Sequence, residues 1–197
     1  FRQSFPDASL KIHSLEETAL TRDLLGKFFD LGVVEGNVAG SNSSIINIYA
    51  GDLLCIMPSD HPLAQFDVIE MPQFQGHNFI YYSEEDSYRR QIDAQFEAAG
   101  IERNLLVETT TATSIGTMVA GGIGISIVNP LTALAFEGAG VTLRRLARPI
   151  PYYLNIWQPE TKQKTLLGTC FTKSIIETIE SSLISLSKRN LCMPKLN

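Results

Sequence analysis

Polar residues that close short apolar runs are the first candidates for chemistry in this sequence. Glu16-Glu17 follows Ser9–Ile12, Glu35-Gly36-Asn37 follows Phe29–Val34, and Ser83 follows Asn78-Phe79-Ile80-Tyr81-Tyr82. Thr109-Thr110-Thr111-Ala112-Thr113-Ser114 follows Leu105–Glu108, and Asn129 follows Ile123–Val128. In open α/β sheets ligands gather outside the carboxyl ends of strands, where side chains and helix N-termini converge. Carboxylates, hydroxyls and an amide in those places suit recognition of a small molecule. Each also has a plainer role: Ser83 and Ser114 as helix N-caps, Glu17 as an acid in a first helical turn.

Chemistry that transforms a substrate has no comparable support. Gly121-Gly122-Ile123-Gly124 invites a nucleotide-loop reading, but the glycines follow a helical stretch and precede a strand. A phosphate loop needs the opposite order, so a tight helix-to-strand turn is expected. There is no GxxxxGK[ST] and no GxSxG. His13, His61 and His77 are scattered, and Cys55, Cys170 and Cys192 form an odd, widely spaced set without CxxC. Neither pattern has zinc spacing or the density of a disulfide scaffold, so a reducing compartment is expected. Glu84-Glu85-Asp86 reads as a dipole-compensating helix start, since a carboxylate pair for acid–base work lacks partners. No catalytic residue, metal or cofactor is assigned.

The elements that position these residues alternate in type. Strands are expected at Ser9–Ile12, Phe29–Gly36, Ile45–Tyr49, Asp52–Met57, Asn78–Tyr82, Leu105–Glu108, Ile123–Val128, Val141–Leu146 and Tyr152–Gln158. Leu20, Leu24 and Phe28 stand four apart on one helical face, as do Tyr88, Ile92 and Phe96 before Gly100. A short helix is expected over Ser114–Ala120, another starts at Asn129-Pro130, and Leu167, Phe171, Ile175, Ile179 and Leu183 mark a C-terminal helix. Strands separated by helices imply parallel sheets with crossover helices. After Ser187 the stripe is lost and a loose tail is expected.

Composition sets bounds on the whole. The 197 residues are 44% hydrophobic and 19% charged, enough apolar material for a sizeable core. A net charge of -5 argues against this stretch gripping a phosphate backbone. The longest apolar runs fall far short of the roughly 20 residues that span a bilayer. The opening Phe1-Arg2-Gln3-Ser4-Phe5-Pro6 is neither a signal peptide nor an initiator context, and the chain is read as part of something longer.

Taken in series, several stretches are specific. Phe1-Arg2-Gln3-Ser4-Phe5-Pro6-Asp7, Phe29-Asp30-Leu31-Gly32-Val33, Ser59-Asp60-His61-Pro62-Leu63-Ala64 and Met118–Pro130 with its Gly121-Gly122-Ile123-Gly124 core resemble the effector-binding region of LysR-type transcriptional regulators. The resemblance runs from residue 1 to about residue 187. It implies an α/β fold of two Rossmann-like subdomains of periplasmic-binding-protein type II kind, joined by a two-strand hinge. The first subdomain would be 1–80 plus 153–197 and the second 81–152. The family's first strand and its Ser/Thr-rich ligand loop have no counterpart here. The family's effector positions fall on Glu17 and Glu35 in the first subdomain, Thr110 on the hinge side, and Ser83 and Asn129 in the second.

Relatives often carry Ser or Thr where Glu17 and Glu35 stand, and a buried anion needs a charged partner or strong donors. The expected effector is therefore cationic or zwitterionic, of amino-acid type. The resemblance further implies a cytoplasmic homodimer or homotetramer, promoter DNA bound through an N-terminal winged helix-turn-helix outside this chain, and no membrane association. The rival reading is a solute-binding protein of a transporter. An enzyme on this fold is disfavoured for want of a nucleophile, metal set or cofactor loop.

Overall fold

The computed structural model describes residues 1–14, 29–36, 45–158 and 165–192. The chain forms two compact units: residues 1–49 with 153–182, and residues 50–152 with 183–197.

The first unit carries a three-stranded sheet in the order β1 (Gly32–Glu35), β9 (Pro151–Trp157), β2 (Ile45–Asp52). Strands β1 and β9 are antiparallel, with Glu35 opposite Leu154. In β1 the side chains alternate between buried and exposed, as the two-residue period of a strand covered on one face requires. The helix expected over Glu16–Phe28 lies outside the described residues. Ser9–Ile12 is irregular chain rather than a strand, and Ile12 is 85% exposed. Among the described residues its apolar side chains find no ladder neighbour, and a run that short holds no shape alone.

The second unit is built on a mixed sheet. Strands β4 (Val68–Ile69), β8 (Val141–Leu146), β3 (Leu54–Pro58) and β7 (Ser126–Val128) are neighbours in that order. A parallel bridge between Ile125 and Phe79 extends the sheet to β5 (Asn78–Tyr82), which pairs in parallel with β6 (Asn104–Thr109). Strand β3 runs antiparallel to both β7 and β8. The expected parallel sheets are thus corrected in both units: β3 is reversed here, and β1 and β9 are antiparallel in the first. Leu54, Cys55, Ile56 and Met57 are all fully buried, as in a central strand covered on both faces.

Helices α1 (Ser87–Ala99), α2 (Ala112–Ala120) and α3 (Pro130–Phe136) cover this sheet. Tyr88, Ile92 and Phe96 form the buried stripe of α1, and Phe96 meets Phe74 and Phe79 edge-on at 5.1 and 5.7 Å. Gly100 ends α1 in the left-handed conformation, donating its N–H to the Phe96 and Glu97 carbonyls.

The boundary expected near residue 80 differs from the division at Tyr49/Ala50, because residues 54–80 supply β3, β4 and β5 to the second sheet. The chain passes between units within β2 and again within β9, which are neighbours in one sheet. A third passage lies within α4 (Leu166–Lys188). Beyond α4 the chain is not loose as far as Cys192. Leu191 and Cys192 are buried, and the Leu191 N–H donates to the Leu186 carbonyl at 2.9 Å.

Candidate functional site

In the second unit the carboxyl ends of β5, β6 and β7 lie side by side. Tyr82 stands opposite Thr109, and the Ser83 N–H donates to the Thr109 carbonyl at 3.0 Å. Phe79 is bridged to Ile125, so Ser83 and Asn129, each four residues further along, come level at the same edge. Thr110 follows β6 directly and is exposed. Three of the five residues singled out by sequence therefore share one sheet edge.

Helix N-termini converge there as well. Asp86, not Ser83, caps α1, accepting from the Tyr88 and Arg89 N–H groups at 2.7 and 3.0 Å. Thr111, not Ser114, caps α2, accepting from the Ser114 N–H at 3.2 Å and donating its hydroxyl to Ser114 Oγ at 2.8 Å. The capping role is thus lifted from Ser83 and leaves its hydroxyl at the strand end. Asn129 is 5% exposed and caps α3, accepting from the Thr132 N–H at 2.8 Å.

Arg89, which sequence reasoning passed over, braces this edge. Its guanidinium donates to the Tyr82 carbonyl at 2.5 Å and pairs with Asp93 at 2.5 Å and with Glu108 at 3.5 Å. It also lies 4.4 Å over the Tyr81 ring. Asp93 pairs in turn with Arg103 at 2.5 Å, whose guanidinium stacks over Phe96 at 3.9 Å and Tyr81 at 4.6 Å. Burial pushes the Tyr81 hydroxyl up, opposed by Arg103. The acids beside Arg89 outweigh its own burial and hold it protonated, above its ordinary range. The signal in sequence was the four-residue spacing of Arg89 and Asp93 on one helix.

In the first unit Glu35 is the last residue of β1, with its side chain exposed. The next residue, Gly36, has a φ of 110°, open to glycine alone without strain. Its carbonyl accepts from Asn155 Nδ2 at 2.5 Å, and Asn155 Oδ1 accepts from Asn47 Nδ2 at 2.7 Å. Asn155, 1% exposed, thus ties β1, β9 and β2 together beside Glu35. A single amide inside an apolar strand gave little hint of that role. Glu17 lies outside the described residues.

His61 and His77, read from sequence as scattered, come together in the second unit with ring centroids 4.7 Å apart. Among the described residues no group of three His, Cys, Asp or Glu side chains could hold a metal ion. No helix among them is long and apolar enough to cross a membrane.

Two α/β units linked through two neighbouring strands define a domain of periplasmic-binding-protein type II kind. A family model described as the LysR substrate binding domain matches residues 1–171. The transcriptional activator protein LysR of Escherichia coli (strain K12) is 34% identical over 172 residues, which cover 87% of this chain and 55% of that protein. Among solved structures, the CcmR regulatory domain of Synechocystis PCC6803 in complex with 2-PG matches with a TM-score of 0.69 and 18% identity, covering 90% of this chain and 86% of that one. The effector binding domain of QuiR in complex with shikimate matches with a TM-score of 0.59 and 19% identity, covering 84% and 78%. The chain belongs to the LysR substrate-binding-domain family. It spans about half the length of the curated relatives it matches. Those relatives are regulators, which favours the regulator over the transporter reading.

Proposed function

We propose that this chain is the effector-sensing part of a cytoplasmic LysR-type regulator that binds an amino-acid-like or cationic metabolite and acts on promoter DNA through another part of the same protein. Glu17 and Glu35 would meet the effector's ammonium or guanidinium group, with Thr110, Ser83 and Asn129 supplying hydroxyl and amide groups to the rest. The observation that carries the site is the shared strand edge of Ser83, Thr110 and Asn129. Glu35 ends β1 as an exposed carboxylate, the charge that an ammonium or guanidinium group would complement. The relatives solved with 2-PG and with shikimate hold small organic molecules, in keeping with a sensor of that size class.

Binding transforms nothing in this reading. The effector shifts an equilibrium between conformations by the difference in its affinity for them. Family membership further supports a homodimer, with higher assembly in the whole regulator. Calorimetric titration with amino acids, their decarboxylated amines and dicarboxylates tests the proposal. Binding of a molecule bearing an ammonium group, weakened about tenfold or more by Glu35→Gln, is the expected result. Exclusive binding of a dicarboxylate would overturn the effector class and leave the family intact.

A further inference from the structure

The turn after β3 carries a feature the effector site does not use. Pro58 ends β3, and His61 caps a single 3-10 turn, Pro62–Gln65, by accepting the Leu63 N–H on Nδ1 at 3.2 Å. Leu63 is buried, and the His61 carbonyl accepts the Ala64 N–H at 2.8 Å. The His77 ring packs against that of His61 with centroids 4.7 Å apart, and both line an open pocket of about 250 Å³ with Asn78 and Gly122–Gly124. The pocket lies at the amino-terminal edge of β5. The five residues of that strand separate it from the Ser83 edge by about 17 Å.

The cap fixes the chemistry of His61. An imidazole that accepts on Nδ1 carries its proton on Nε2 and is neutral. A metal on Nε2 would need a hydrogen on Nδ1, facing the Leu63 N–H, so the pair is a poor metal ligand as it stands. Protonation has the same consequence, because imidazolium has two donors and no acceptor. We infer that His61 and His77 form an acid-released latch: proton uptake at His61 breaks the Leu63 cap, sets an imidazolium against the His77 ring, and frees the 3-10 turn between β3 and β4.

Asp60 on the same turn favours the cation, and His77, from the segment entering β5, opposes it. From β8, Arg144 donates to the Phe66 and Ala64 carbonyls at 2.5 and 2.6 Å, holding the far end of the turn and adding a fixed positive charge beside it. The residues of the glycine turn that line the pocket, Gly122, Ile123 and Gly124, bring no titratable group. Burial first, then His77, holds His61 below its ordinary value of 6.5, against the pull of Asp60. The latch is therefore closed at neutral pH and opens only in acid.

Hydrogen exchange of the intact protein, read on a peptide covering residues 59–66 and corrected for intrinsic rates, tests this. Protection should fall about fivefold or more between ~pH 7.5 and ~pH 5, while peptides from β8 stay unchanged. His61→Asn keeps a capping oxygen but cannot titrate, and should hold its protection across that range. His77→Gln should move the loss to higher pH by removing the ring that opposes the His61 cation. Unchanged protection in the parent protein, or the same loss in His61→Asn, would overturn the latch.

Discussion

Single side chains in this protein do more than their types announce, and the carboxylate of Asp93 is the clearest case. It bridges two guanidiniums, Arg89 and Arg103, that are only 13% and 10% exposed. Removing one partner of a buried charged set leaves the others uncompensated. Asp93→Asn should lower unfolding free energy by about 3 kcal/mol in urea titrations, and a loss under about 1 kcal/mol would mean solvent already screens the pair. His61 gives a second expectation at this scale. Its folded value lies below 6.5, so the unfolded chain binds the extra proton and stability declines as pH falls below about 6.5. Stability-versus-pH curves should be flatter for His61→Asn. Thiol reactivity adds a third. Burial pushes the Cys55 and Cys192 thiols up, with Asp52 adding to the effect at Cys192, whereas Cys170 is only half-buried. An aromatic disulfide reagent should modify one thiol, Cys170, in the native protein and all three after denaturation.

Among elements, the glycine turn shows how an ambiguous motif resolves. Gly121-Gly122-Ile123-Gly124 links α2 to β7, as the order of helix and strand required, and its glycines are not equivalent. A Cβ on Gly124 would stand 2.7 Å from the Asn78 carbonyl oxygen, in the backbone pairing of Ile125 with β5. A Cβ on Gly121 would meet only ordinary contacts at 3.5 Å. Gly124→Ala should therefore cost about 2–3 kcal/mol and Gly121→Ala under about 0.5 kcal/mol, measured by chemical denaturation. Strand and helix positions were largely legible beforehand, because apolar period acts locally: β5 and β8 fall on the expected residues, although the caps of α1 and α2 fell on Asp86 and Thr111. Ser9–Ile12 and the segment after Ser187 were misread for one reason. Whether a short apolar run pairs, packs or lies open depends on distant neighbours, and Leu191 and Cys192 find theirs beside Asp52 and Pro149. Truncation after Asn190 should lower the melting temperature by several degrees.

At the scale of the molecule, the division into units follows strand pairing rather than distance along the chain. Residues 54–80 looked like a continuation of the first subdomain, yet their ladders run to β6, β7 and β8. A sensor of this family is expected to pair, and sedimentation equilibrium should give twice the chain mass. A monomer at tens of micromolar, well above common dimer constants, would count against that part of the proposal.

Local periodicity, capping residues and an ordered series of motifs settled the α/β class, most elements and the family from sequence alone, because those signals are written within a few residues of each other. Tertiary structure decided the reversed strand, the unit boundary, the meeting of Ser83, Thr110 and Asn129, the Arg89–Asp93–Arg103 brace and the His61–His77 pair. Each depends on residues far apart in the chain, whose proximity is set by hydrogen-bond register and burial and by nothing that a local pattern encodes.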